Sequence, residues 1–419
     1  MKPYATGLMI FRRDLRIEDN TALLTALQKS KTIIPLFIFD PTQQEQNNSF
    51  FSAPAFTFMI ESLIDLEQTL QKHDLQLWHT IGNPSKVVEK LLRLGIYDAV
   101  FFNADYTPFS KTRDAQIATI CTNYKIPLHI THDSLLLGDP ESIRTKTNTP
   151  YKQFSAFFTQ ACLRAPAMPK KTDLTHITQP NLKKNNILLP FNNSVAKTLL
   201  TKQPNTNPAL HGGTTQGLAL LKKISQLKDY KDTRNIPAKT TSLLSAHNKF
   251  GTLSIRTIYH EIIKQFGPTH ELIRQLYWRD FFTYMLYHYP ETLTESARPQ
   301  HEPTTWNSSE ATFKSWCEGN TGIPIIDAGI RQLNKTGYMH NRARMLTASY
   351  LVKNLLVDWR KGAQYFAQKL IDYDPAVNAG NWQWISSTGY DAQPPFRRFN
   401  PATQTKTWDP DHHYIQEWL

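Results

Sequence analysis

The sequence predicts an α/β N-terminal domain built on a doubly wound parallel sheet, followed by an all-α C-terminal domain. Three observations carry this expectation. Over the first third, short apolar runs of strand length alternate with amphipathic stretches of helix length. The middle turns rich in Pro, Asn, Thr and Lys and loses periodicity. Beyond it, apolar residues recur every three to four positions with few strand-like alternations. A length of 419 residues is enough for two or three cores.

Taken in order, strands are expected at Leu8–Phe11, Ile33–Phe39, Leu75–His79, Ala99–Asn103 and Leu128–Thr131. Helical patterns fall near Thr21–Lys29, Ala55–Gln71, Pro84–Leu94 and Thr112–Tyr124. Buried-type strands separated by helices suit a parallel sheet covered on both faces. The turn after the first strand reads Arg12-Arg13-Asp14-Leu15-Arg16 and has no G-x-G-x-x-G, which argues against a nicotinamide-type site. The stretch PKKTDLTHITQPNLKKNNILLPFNNS reads as a long connection. Further on, Leu218–Leu227, Ile255–Phe266 and Leu272–Met285 keep a helical period. The domains are therefore drawn as 1–135 (α/β), 136–208 (linker) and 209–419 (helical).

Charge separates the two ends. Residues 1–135 hold 13 Lys and Arg against 14 Asp and Glu, while residues 136–419 hold 34 against 21. A basic excess confined to the later part fits a phosphate-backbone binder and equally a solvated basic surface. Three scattered cysteines, Cys121, Cys162 and Cys317, suit neither a disulfide framework nor a zinc site and suggest a reducing compartment. The N-terminus does not read as a signal peptide and no run of 18 apolar residues occurs, so a cytoplasmic protein without a membrane span is expected. No metal-ligand spacing, G-x-S-x-G elbow or P-loop is present, which leaves metal, hydrolase and NTPase readings without a foothold.

Two stretches of the helical part concentrate polar and aromatic residues. In the first, Asn341-Arg342-Ala343-Arg344-Met345 follows Gly337-Tyr338-Met339-His340, and a helix opening with two arginines is a candidate anion site. In the second, Asp372-Tyr373-Asp374 precedes Asn378 and the pair Trp382 and Trp384. Such a set suits a large heteroaromatic ligand. It equally suits an aromatic core in which Asp372 pairs with Arg344.

These stretches, TGYMHNRARMLTASYLVKNLLVDWRKG and LIDYDPAVNAGNWQWISSTGYDAQPPFRRFNP, resemble the flavin and lesion region of the photolyase/cryptochrome family. FRRDLRIEDNTAL, TTSLLSAH, QLYWRDFF and GIPIIDAGIRQL extend the likeness over almost the whole chain, and it is greatest to the class I branch that repairs cyclobutane pyrimidine dimers. The resemblance implies an antenna-type α/β domain, a helical FAD-binding domain, and a monomer acting on UV-damaged DNA. It implies that Tyr230 and the run Thr241, Ser242, Leu243, Leu244 and Ser245 hold the FAD phosphates. Asn341, Arg344, Asp372, Tyr373 and Asp374 would also bind the cofactor, with Asn378 beside flavin N5. Trp382, Trp359 and Trp306 match an electron relay to the surface. Gln275, Trp278, Asn341, Arg342, Met345 and Trp384 match the pocket for a flipped lesion, since photolyases act on an extruded base, as is general for enzymes that work on bases.

Three features depart from that pattern. Gln275 stands where dimer-repairing relatives carry Glu, and (6-4) enzymes carry Gln there. Against that, the (6-4) branch has His where this chain has Asn341. Thr107 replaces a Glu that grips the pterin in folate-binding relatives, so a folate antenna, a deazaflavin antenna or neither remains open. The sequence also ends at Leu419, tens of residues before such relatives usually end. A (6-4) photolyase and a blue-light photoreceptor without repair are the alternative readings.

Overall fold

The computed structural model describes residues 2–180, 182, 186–201 and 208–419. Its first layer runs β1 (Tyr4–Phe11), α1 (Thr21–Lys29), β2 (Ser30–Phe39), α2 (Ala53–Gln71), β3 (Trp78–Ile81), α3 (Pro84–Leu92), β4 (Ala99–Asn103), α4 (Pro108–Asn123) and β5 (Leu128–Thr131). The connection contributes α5 (Phe154–Ala161), β6 (Leu189–Pro190) and α6 (Asn193–Leu200).

The sheet order is β5-β4-β1-β2-β3-β6, parallel throughout except for the antiparallel β3–β6 pair. Period-two alternation assigns the two faces. Met9 and Phe11 pack with Leu23 of α1 and Leu63 of α2, while Leu8 and Ile10 pack with Val88 of α3 and Ile117 of α4. The doubly wound expectation therefore holds, with one addition. β6 is only two residues long and carries no period that a sequence could display. The connection also packs back: Leu174, Ile177 and Phe191 join the core on one face, and Leu182 and Leu188 on the other. Residues 181, 183–185 and 202–207 of the expected linker lie outside the described residues.

The helical part comprises α7 (Thr214–Lys222), α8 (Tyr230–Thr233), α9 (Ser245–Phe250), α10 (Ile255–Phe266), α11 (Glu271–His288), α12 (Glu310–Glu318), α13 (Pro324–Thr336), α14 (Asn341–Ser349), α15 (Trp359–Lys369), α16 (Pro375–Ser386), α17 (Pro401–Trp408) and α18 (His413–Trp418). Among the described residues, no helix is long and apolar enough to cross a membrane.

The β1–α1 loop fastens the sheet to the helices. Leu15 donates its N–H to the Phe250 carbonyl at 3.1 Å, and Arg16 reaches the Gly251 carbonyl at 3.0 Å. Gly251 ends α9 at φ 60°, and a Cβ there would overlap the Arg13 carbonyl oxygen, so the close approach requires glycine. Beneath this contact, Asp133 takes Arg16 at 2.6 Å and Arg256 at 2.9 Å, and Asp19 takes Arg256 at 2.8 Å. Burial pushes the Asp133 carboxyl up, but the two guanidiniums outweigh it and hold it at about 2.

Two buried histidines make the fold sensitive to acid. His247 meets Phe58 of α2 at a ring separation of 5.1 Å, and His340 caps α14 by accepting from the Arg342 N–H at 3.1 Å. Burial holds both near 4, with Arg344 and Arg342 adding to the effect at His340. A free histidine titrates near 6.5, so the stability from these neutral rings is complete above that pH and is lost as pH falls toward 4. His340→Asn keeps a capping acceptor without a titrating ring. Between pH 7 and 4.5 it is expected to lose up to about 2–3 kcal/mol less stability than the parent protein, measured by urea unfolding. Equal losses in the two proteins would show that the ring is not buried neutral.

Candidate functional site

A cavity of about 590 Å³ opens among α8, α9, α11, α14 and α16. Helix packing sets its walls. On α15, Gly362 lies so close to the Trp382 ring that a Cβ would overlap it, which brings α16 tight against α15. Asp374 caps α16 by accepting from the Ala376 and Val377 N–H groups at 3.0 and 3.1 Å. With the first turn fixed, Asn378 donates its amide to the Ala363 carbonyl at 2.9 Å, which leaves its oxygen for the cavity.

The two acids are paired differently. Arg344 grips Asp372 with both nitrogens, at 3.1 and 2.9 Å. Asp374 instead takes Arg13, which arrives from the β1–α1 loop and also reaches Asp105 at 3.3 Å. Burial pushes the Asp374 carboxyl up, while Arg13, Lys249 and Arg279 outweigh it and hold it well below the carboxylate range. Lys249, on the same wall, is lowered to about 8 by burial and by Arg13. Arg13 and Asp105 meet where the strand order reverses between β1 and β4, the position at which open α/β sheets place ligand-facing residues.

All the expected cofactor and lesion residues line this one cavity: Tyr230, Thr241, Ser242, Leu243, Leu244, Ser245, Gln275, Trp278, Asn341, Arg342, Arg344, Met345, Asp372, Tyr373, Asp374, Asn378, Trp382 and Trp384. Leu243 adopts φ 55°, a strained conformation for leucine, and the adjoining cap residue of α9 makes no side-chain cap bond. Trp278 is held face-on by Phe154 of α5, with ring centroids 3.6 Å apart and planes at 7°.

Trp359 and Trp306 lie outside the cavity. The Trp359 ring is buried and donates to Ser296 at 3.2 Å, with the Arg360 guanidinium over it. Arg360 pairs with Glu302, which in turn accepts from the Trp306 indole at 3.4 Å. The α14 N-terminus is not the free anion site that the sequence suggested. His340 caps it, Asp372 occupies Arg344, and Arg342 donates to Asn235 at 2.6 Å. Thr107 is spent on capping α4, accepting from Ser110 N–H at 3.2 Å.

Sequence reading missed Arg13, Arg234, Lys249 and Arg279. Two of them carried a positional signal. Arg234 stands four residues after Tyr230, and Lys249 four after Ser245, so each falls on the helix face of a residue already chosen. Arg13 and Arg279 lay inside the quoted segments FRRDLRIEDNTAL and QLYWRDFF, but nothing local pointed Arg13 to Asp374, 361 residues away.

The family described as DNA photolyase matches residues 8–175, and the FAD binding domain of DNA photolyase matches residues 272–419. A deoxyribodipyrimidine photo-lyase from Synechococcus is 32% identical, spanning 97% of this chain and 86% of the relative. A photolyase from Sulfolobus tokodaii, solved with two FAD molecules, superposes with a TM-score of 0.87 at 40% identity, covering 99% and 90% of the two chains. A Synechocystis cryptochrome gives 0.87 at 30%, covering 100% and 89%. Sheet layer, helical domain and cavity together define a two-part FAD-binding flavoprotein. The chain belongs to the DNA photolyase family.

The cavity fits FAD on its own terms. Asn248 Oδ1 and Arg342 Nε are buried polar atoms on its walls without a protein partner, and the uncapped start of α9 adds unpaired N–H groups. Arg13 then becomes testable. Arg13→Ala strips Asp374 of its nearest counter-charge, at a cost on the order of 3 kcal/mol. The ratio of flavin to protein absorbance after gel filtration is expected to fall, with partial recovery in Arg13→Lys. Full occupancy in Arg13→Ala would show that Lys249 and Arg279 suffice.

Proposed function

We propose that this chain repairs cyclobutane pyrimidine dimers in DNA by light-driven electron transfer. The observation that carries the reading is a single cavity holding two chemistries side by side. Its lining combines the paired acids and Asn378 with Trp278, Trp384, Asn341 and Met345. Bound and reduced, FAD supplies one electron to the lesion on blue-light excitation.

The chain's own residues do the rest. Tyr230 and Thr241–Ser245 would hold the phosphates, and Arg344 with Asp372 would fix the ring edge without leaving a net charge. Asn378, its amide N–H donated to Ala363, would turn an oxygen without a proton toward the ring. Trp278 and Trp384 would flank the flipped dimer with apolar faces and keep water out. Trp278 has little freedom to rotate because Phe154 covers one face. Cationic side chains of the helical part would take the DNA phosphates and fix the register on the duplex. Trp382, Trp359 and Trp306 would return electrons to an oxidised cofactor. A second chromophore, like the second FAD of the Sulfolobus tokodaii photolyase, would serve as antenna.

Gln275 favours a second reading, (6-4) repair, because that branch carries glutamine there, while the Synechocystis likeness supports a photoreceptor reading. Blue-light repair of one oligonucleotide with a cyclobutane dimer and another with a (6-4) product separates all three. Repair of the first is expected. Repair of the second alone, or of neither, overturns the proposal. In the same assay, Trp382→Phe is expected to lose photoreduction of oxidised flavin yet retain repair when reduced chemically beforehand.

A further inference from the structure

Gln275 is not a free side chain. Its Nε2 donates to Glu271 Oε1 at 3.2 Å, one turn earlier on α11, and the same oxygen lies 3.0 Å from Arg234 Nη1 beside α8. All three residues line the cavity. A glutamine amide swaps its donor and acceptor ends by a half-turn about its last torsion, so on its own it can present either to a ligand. Glu271 removes that choice. A carboxylate has no proton to offer, so the amide nitrogen must face it, and the reversed amide would set a carbonyl dipole against a negative charge. Arg234 holds the carboxylate in place from the opposite side.

We propose that Glu271 is a positioning residue that locks Gln275 with its carbonyl turned to the lesion, making this site selective for thymine over cytosine. The proposal rests on the dimer-repair reading. Thymine carries a donor at N3, which the locked carbonyl accepts, whereas cytosine carries an acceptor there and would face an oxygen lone pair. A carboxylate at 275 would not make the Glu271–Gln275 bond. It would stand one helical turn from Glu271 with the same charge.

The test is binding, in the dark, of FAD-loaded protein to oligonucleotides bearing a thymine–thymine dimer, a freshly prepared thymine–cytosine dimer, or no lesion. Glu271→Gln frees the amide, and its affinity for the thymine dimer is expected to fall by about threefold to tenfold, the size of one neutral hydrogen bond. The preference for thymine over cytosine should shrink with it. In a Gln275→Ala background, Glu271→Gln should cost nothing further, because there is no amide left to orient. Exchanging the two, Glu271→Gln with Gln275→Glu, should restore the preference. An unchanged thymine-to-cytosine ratio in Glu271→Gln overturns the proposal, as does an equal loss in the Gln275→Ala background, which would mark Glu271 as merely structural. If the unaltered protein binds both dimers no better than undamaged DNA, it is the dimer-repair reading that has failed, and the proposal falls with it.

Discussion

Two arginines and two aspartates buried between the sheet and the helices, Arg16, Arg256, Asp19 and Asp133, set the relation between the two parts of the molecule. Four charges withdrawn from water are costly, and the arrangement persists because each carboxylate is met by a guanidinium and further hydrogen bonds, with Thr21 donating to Asp133 and Ser254 to Asp19. Removing one member would leave an uncompensated buried charge. The cluster thus penalises any displacement of the β1–α1 loop more strongly than it stabilises the docked state.

That constraint reaches the cavity through Arg13, three residues before Arg16. Because the loop is pinned by Arg16, Leu15 and the close approach to Gly251, the Arg13 guanidinium arrives beside Asp374 with little freedom to leave. Asp374 in turn caps α16, and α16 carries Asn378, Trp382 and Trp384. A side chain of the α/β layer therefore helps to fix the helix that forms one wall of the cofactor cavity. The helical part by itself lacks one counter-charge of its own site.

The cavity shows a consistent polar accounting. Asp372 is neutralised by Arg344, Asp374 by Arg13, and Glu271 by Arg234, while Asn378 and Gln275 each spend an amide N–H on the protein. Its three carboxylates are thus engaged by guanidiniums. Two further arginines of the lining meet neutral groups instead: Arg342 donates to Asn235 and Gln404, and Arg274 lies over the Phe154 and Phe158 rings. Lys249 differs from both. Held near 8 by burial, it is the cation on that wall with a proton to lose close to neutral pH.

Much of this was legible in the sequence, and physics explains which part. The strands Ala99–Asn103 and Leu128–Thr131 and the helix Thr21–Lys29 appear with the expected bounds, because an alternating or 3.6-residue apolar period is a local property. The cofactor and lesion residues of the motifs, from Tyr230 to Trp384, line one cavity, while Trp306 and Trp359 lie outside it; each motif already contained its own neighbours along the chain. The tertiary structure decided what depends on partners far apart or on competition for a group. β6 pairs by two residues without a pattern, and Arg13 finds Asp374 across most of the chain. The α14 N-terminus, free on paper, is taken by His340, and Gln275 points one way because Glu271 and Arg234 leave it no other. Periodicity announces which face is buried; only packing decides which polar group each charge ends up facing.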